Sequence, residues 1–244
     1  EELTGIKKFF NGFLSLYENG GIVTEVLGST ETQVVDGRVL TVKTPPTVLY
    51  YLTYLLRAVF AYVLGSINFG VLVSTKMCNE DVRRHGSGNA GMTNVLRTYG
   101  KLPAVFTTIG DVGKSVAAVN LGRFIFDALL SGTGAAWQNP LDPVCGAYLA
   151  AIFCMIGHSR PLFFGFKGGK GVLVGAGAAL ATEPLVCAVL LAIFLIEVAV
   201  TRIVSLGSII IAALYPVGTL INLIARGANA ATIVFSTICC VIMA

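Results

Sequence analysis

Seven apolar stretches, near 48–75, 102–122, 144–162, 171–182, 185–200, 204–224 and 228–244, restrict the solvents in which this chain can fold. A helix needs ~20 mostly apolar residues to cross the hydrocarbon core of a bilayer, and several of the stretches are that long. The fourth and fifth are short and separated by Glu183–Pro184, and they read as two helices or as one broken helix. Of the 244 residues, 55% are hydrophobic and 12% charged, against about 25% charged in a soluble domain. A water-facing surface cannot be built from so few charges. The pattern predicts an all-α, polytopic integral membrane protein with about seven transmembrane helices.

Basic residues set the orientation, because short cytoplasmic loops carry an excess of Lys and Arg. With the N-terminus outside, Lys76, Arg83, Arg84, Arg97, Lys101, Arg160, Lys167, Lys170 and Arg202 fall at cytoplasmic ends. Arg123 and Arg226 fall outside, apart from the first 46 residues, and nine against two predicts an external N-terminus and a cytoplasmic C-terminus. Three short cytoplasmic stretches result, 76–101, 163–170 and 201–208, which a helix bundle can bring to one face.

Residues 1–46 differ, with ten charges and a net of −2. Leu3, Ile6, Phe10, Phe13, Leu14 and Tyr17 recur at helical spacing and predict a short amphipathic helix on a surface. Val34–Lys43 predicts a hairpin around Asp36–Gly37, and Pro45–Pro46 breaks the chain before the first span. The expected division is 1–46, a polar N-terminal extension with no assigned role, and 47–244, a membrane domain. Six cysteines without a C-x-x-C, and two histidines apart from any cysteine pair, predict no metal site. The formal charge of +4 is not the footprint of a nucleic-acid binder, and no cofactor is expected.

Chemistry is concentrated in the loops. Ser87-Gly88-Asn89-Ala90-Gly91-Met92-Thr93-Asn94 places small, flexible backbone beside neutral donors, and Arg97 follows with a fork suited to phosphate. A helix beginning near Thr93 adds an N-terminus to such an anion site. The competing reading is a plain turn between helices. Gly168-Gly169-Lys170-Gly171 opens an apolar helix with a lysine and close-packing backbone, without being a Walker A motif. Its competing reading is a lysine pair binding lipid head groups. Ser205 and Ser208, at i and i+3, can face one cavity or merely line a helix start. Asp111 and Lys114 lie at i and i+3 inside the second stretch, and are expected to be a structural intramembrane pair. His85 and His158 read as structural donors. Neither begins His-x-x-x-x-Asp, because Ala90 and Phe163 hold the fifth positions, which argues against the common His/Asp glycerolipid acyltransferase chemistry.

Taken in order, several motifs resemble those of the bacterial membrane acyl-phosphate:glycerol-3-phosphate acyltransferases. They are Leu64-Gly65-Ser66-Ile67-x-Phe69-Gly70, Gly86-Ser87-Gly88-Asn89-x-Gly91-x-Thr93-Asn94-x-x-Arg97, Asp111-x-x-Lys114, Gly157-His158-x-x-Pro161, Gly165 through Val172, and Ser205-Leu206-x-Ser208-Ile209. The resemblance covers about residues 49–244. It implies a seven-helix membrane enzyme that moves a fatty acyl group from acyl phosphate to position 1 of glycerol 3-phosphate, giving lysophosphatidic acid and phosphate. Its partners are those two substrates and membrane lipid, and its location the bacterial cytoplasmic membrane. Under it, Ser87, Gly88, Asn89, Gly91, Thr93, Asn94, Arg97, Gly168, Gly169, Lys170, Gly171 and Ser208 bind substrate phosphate. The family also places a His-x-x-Asn element just after the last helix. Ala244 precedes that point, so the membrane domain is expected to be truncated there or to lack the element. The alternative function is a membrane transporter or channel for an organic phosphate, although no internal repeat supports it.

Overall fold

The structure, a computed structural model, describes residues 30–35, 38–43, 47–131 and 142–244. The chain divides into two units, residues 1–56 with 125–139 and residues 57–124 with 140–244. In the first unit, strands β1 (Thr30–Val35) and β2 (Arg38–Lys43) pair antiparallel, from Thr30 opposite Lys43 to Val35 opposite Arg38. The pairing is that of the expected hairpin. The turn residues Asp36–Gly37 and the amphipathic segment 3–17 lie outside the described residues.

Helices follow in chain order: α1 (Thr47–Gly65), α2 (Phe69–Cys78), α3 (Met92–Tyr99), α4 (Lys101–Ser131), α5 (Asp142–Ser159), α6 (Val172–Thr182), α7 (Pro184–Thr201), α8 (Val204–Ala225) and α9 (Ala230–Met243). The first apolar stretch is therefore two helices rather than one. Asn68 takes an extended conformation and accepts the Val71 N–H on its Oδ1 at 3.2 Å, a new N-cap inside an apolar run. The Ser66 hydroxyl donates back to the Tyr62 carbonyl at 2.8 Å. Hydropathy averaged over a window hides two polar residues, which is why the break does not show in the apolar pattern. The fourth and fifth stretches are two helices, parted at Glu183.

Among the described residues four helical segments are long and apolar enough to cross a membrane: Tyr54–Cys78, Gly146–Phe164, Pro184–Thr201 and Val204–Ala225. Helix α4 is 31 residues long but carries Lys101, Asp111, Lys114 and Arg123. Helices α6 and α9 are apolar, with 11 and 14 residues.

Side chains sort by size in the reverse of a water-soluble protein. Buried positions hold Ala147, Ala150, Ala151, Cys154, Ala178, Ser115 and Thr107, while Leu55, Ile109, Leu185, Ile196, Ile209 and Ile221 face outward. Lipid tails are as apolar as leucine, so helices gain from close packing of small residues rather than from hiding large ones. Helix α5 packs on α6, α6 on α7, α7 on α8, α8 on α9, and α9 returns to α5. Helix α1 meets α5 through glycine. A Cβ on Gly65 would overlap the Cys154 carbonyl, and one on Gly157 would overlap the Tyr62 carbonyl. Those two glycines set how closely α1 approaches α5, the helix that leads into the second glycine loop.

Candidate active site at the glycine loops

The stretch between α2 and α3 is built around one amide. Asp81 caps a 3-10 turn over Val82–Arg84, and the chain then folds over Asn94, which is 3% exposed. Asn94 Nδ2 shares its hydrogens among the carbonyls of Val82 (3.1 Å), His85 (2.9 Å) and Asn89 (3.0 Å), and its Oδ1 accepts the Ser87 N–H at 3.0 Å. Gly86 completes the turn at φ +56°, where a Cβ would strike the Asn94 amide oxygen. Asn94 is thus used inside the loop and shapes it. Ser87, Gly88 and Arg97 are exposed around it, and Asn89, Gly91 and Thr93 are half-buried. Helix α3 starts at Met92 behind Gly91, with no side chain capping its N-terminus.

Arg83 ties this loop to the second one. Its Nε and Nη2 grip the Asp81 carboxylate, the shortest contact being 2.6 Å, while Nη1 donates to the Phe164 carbonyl at 2.7 Å and the Lys167 carbonyl at 3.0 Å. The guanidinium also lies 5.9 Å from the Phe164 ring centre. Sequence reasoning counts Arg83 only as a basic loop residue. Its partners stand 81 and 84 residues away, and the one local sign is the Asp81-x-Arg83 spacing. The hydrogen bond from Arg83 holds the Asp81 carboxyl below its ordinary value of 3.8. A carboxylate with a depressed folded-state pKa contributes in full above the unfolded value, and that contribution is lost as pH falls through the folded one. The tie between the loops is therefore expected to persist through neutral pH and to loosen only below pH 3.8. Limited proteolysis across both loops should show the onset, and Asp81→Asn should open the loops at pH 7 without further change in acid.

In the second loop, glycine permits close packing onto the end of α5. The Gly169 N–H donates to the His158 carbonyl at 3.2 Å. A Cβ on Gly168 would overlap that carbonyl, and one on Gly169 would overlap His158 Nε2. Gly168 and Gly169 therefore place the loop, with the Gly169 N–H already engaged rather than free for an anion. Lys170 is exposed, and Gly171, at φ +85°, precedes α6, whose N-terminus has no side-chain cap. A lysine beside uncapped helix N–H groups is an arrangement that attracts anions.

Beneath this loop lies a buried charged cluster. Asp111 and Lys114 pair at 2.8 Å with side chains 1% exposed. Lys114 Nζ also lies 2.7 Å from the Ile67 carbonyl, freed by the break between α1 and α2, and 2.9 Å from His158 Nδ1. The pair expected from the i, i+3 spacing is thus part of a larger group joining α4, α5 and the broken first span. The third stretch is built differently. Ser208 donates its hydroxyl to the Val204 carbonyl of its own helix at 2.9 Å, and Ser205 is exposed.

Small-residue packing inside and large apolar side chains outside define a helical integral membrane protein, with a polar double loop tied at one end. The chain belongs to the glycerol-3-phosphate acyltransferase family, whose model matches residues 55–244. It is 42% identical over 158 residues to the glycerol-3-phosphate acyltransferase of Clostridioides difficile strain 630, covering 65% of this chain and 72% of that one. It is 40% identical over 166 residues to the enzyme of the same name from Shouchella clausii strain KSM-K16, covering 67% and 74%. Among solved structures it is similar to PlsY (YgiH), an integral membrane glycerol 3-phosphate acyltransferase, in its glycerol 3-phosphate form. The TM-score is 0.59 at 29% identity, over 78% of this chain and 86% of that one. The lysophosphatidic acid form of PlsY matches with a TM-score of 0.57 at 28% identity, covering 78% and 85%.

Proposed function

We propose that this chain transfers a fatty acyl group from acyl phosphate to position 1 of glycerol 3-phosphate, giving lysophosphatidic acid and inorganic phosphate. The observation that carries the reading is the Arg83 tie, which holds two basic glycine loops together at one end of the helices, within a family named for glycerol 3-phosphate acylation. Both substrates bear phosphate, and Arg97, in the last turn of α3 after the first loop, and Lys170, on the second loop, are exposed to meet it. Ser87, Asn89, Gly91 and Thr93 offer neutral donors beside Arg97, and Gly171 a backbone N–H beside Lys170. The Gly88 N–H is given to the His85 carbonyl and the Ser208 hydroxyl to the Val204 carbonyl, so that Gly88 shapes the loop and Ser208 offers only its oxygen. Asn94, Gly168 and Gly169 hold the loops in shape.

The mixed anhydride is already activated. The glycerol hydroxyl oxygen bonds to the acyl carbon, the bond from that carbon to the bridging oxygen breaks, and phosphate departs with the electron pair. The hydroxyl proton leaves with it in the overall balance. Positioning two anions and neutralising their charge then supplies the catalysis, with no covalent enzyme intermediate. In this reading α1 with α2 forms the first span, and α4 to α9 complete seven. The loops face the cytoplasm of a bacterial membrane, following the distribution of basic residues.

The test is inorganic phosphate release by the purified protein from palmitoyl phosphate, with and without glycerol 3-phosphate, alongside detection of the lysophosphatidic acid. Release that depends on glycerol 3-phosphate and falls in Arg97→Ala and Lys170→Ala is the expected result. Acylation from acyl-coenzyme A but not from palmitoyl phosphate would overturn the donor assignment.

A further inference from the structure

An ammonium group carries three hydrogens and accepts none. Lys114 has three partners at hydrogen-bonding distance: Asp111 Oδ1 at 2.8 Å, the Ile67 carbonyl at 2.7 Å and His158 Nδ1 at 2.9 Å. Nδ1 is therefore the acceptor in the last of these. The competing arrangement has Nδ1 donate to Asp111, but that distance is 3.5 Å, and it would turn an N–H toward the nearer ammonium. A neutral imidazole that accepts on Nδ1 carries its proton on Nε2.

The Nε2 end of the ring lies against Gly169, where a Cβ would overlap it, and among the described residues none accepts a hydrogen bond from it. His158 itself is 3% exposed. An imidazole N–H without a protein acceptor keeps a hydrogen to give to a ligand. This one is held in a defined direction by the hydrogen that Lys114 gives to Nδ1, at the base of a loop whose next residue is Lys170.

We propose that His158, fixed by Lys114 in the Nε2–H tautomer, donates that hydrogen to the phosphate held at the glycine loop. The inference rests on the proposed reading of that loop as a phosphate site and adds a binding residue from beneath it. It also gives a reason for glycine at position 169, since any side chain there would stand between the ring and the ligand.

Two substitutions separate the two ring nitrogens. His158→Asn places a carbonyl oxygen near the position of Nδ1, keeps an acceptor for Lys114 and removes the Nε2 donor. His158→Gln reaches the Nε2 position with an amide N–H. The expected result is a KM for glycerol 3-phosphate or palmitoyl phosphate raised roughly ten- to a hundred-fold in His158→Asn, the range for a hydrogen bond lost to a charged group. The kcat should change little, and His158→Gln should recover most of the loss. Folded His158→Asn with an unaltered KM for both substrates, beside a Lys170→Ala that is impaired, would overturn this proposal alone. If neither variant were impaired, the phosphate-loop reading would fail with it. Should the variants not fold, 15N spectra of the unsubstituted protein decide, since it has only two histidines. Nδ1 should be unprotonated, and the Nε2–H signal should move on addition of inorganic phosphate. A proton on Nδ1, or a signal indifferent to phosphate, would overturn the proposal.

Discussion

Asp111→Ala is expected to remove most of the folded protein from the membrane, while the fraction that folds keeps much of its specific activity. The carboxylate lies 2.8 Å from the Lys114 ammonium, with both side chains buried. Removing one member of such a pair leaves an uncompensated charge and costs about 3–5 kcal/mol, comparable to the whole stability of many domains at about 5–15 kcal/mol. The Ile67 carbonyl and His158 remain as neutral acceptors and offset part of the loss. Yield of monodisperse protein in detergent measures the first effect, and turnover per folded molecule the second. Asp111→Leu combined with Lys114→Met should restore yield relative to Asp111→Ala, because no charge is then left alone. Normal yield with abolished turnover would assign Asp111 to the chemistry instead.

Arg83→Ala should show the opposite balance, with near-normal yield and turnover reduced by about a hundred-fold, the size of effect that a misplacement of about 1 Å produces. The residue is partly exposed and supports no buried core. What it supplies is the link from Asp81 to the Phe164 and Lys167 carbonyls. Without it each loop keeps its internal bonds, the first through Asn94 and the second through His158, but the two lose their common anchor. Arg83→Lys should recover little, since one ammonium cannot grip a carboxylate with two nitrogens and reach two carbonyls at once. An Arg83→Ala enzyme at wild-type turnover would show that the loops need no such tie.

The sequence announces the membrane and the loops more clearly than the contacts between them. Long apolar runs and the motif order from Leu64 to Ile209 lead to the family directly, because hydropathy and short motifs are properties of neighbouring residues. Asn94 illustrates where that stops. Its type and place suit a ligand for phosphate, but which partner an amide takes depends on carbonyls that the fold brings to it. Arg83 is hidden for the same reason, its partners lying on a loop more than eighty residues on. The break at Ser66–Asn68 leaves only two polar residues in an apolar run, too few to show in its hydropathy. Its purpose is not local, since the carbonyl it frees is used by Lys114 on another helix.

That freed carbonyl also bears on the order in which the protein is made. Ile67 is synthesised 47 residues before Lys114, and Asp111 lies on the same helix as the lysine. When α4 has been made, two of its lysine's three partners already exist. The third, His158, follows 44 residues later. An ion pair is costly to bury on a helix that stands by itself. Here the ribosome delivers the neighbour that lowers the cost first, and the histidine that completes the cluster arrives just ahead of the glycine loop it supports.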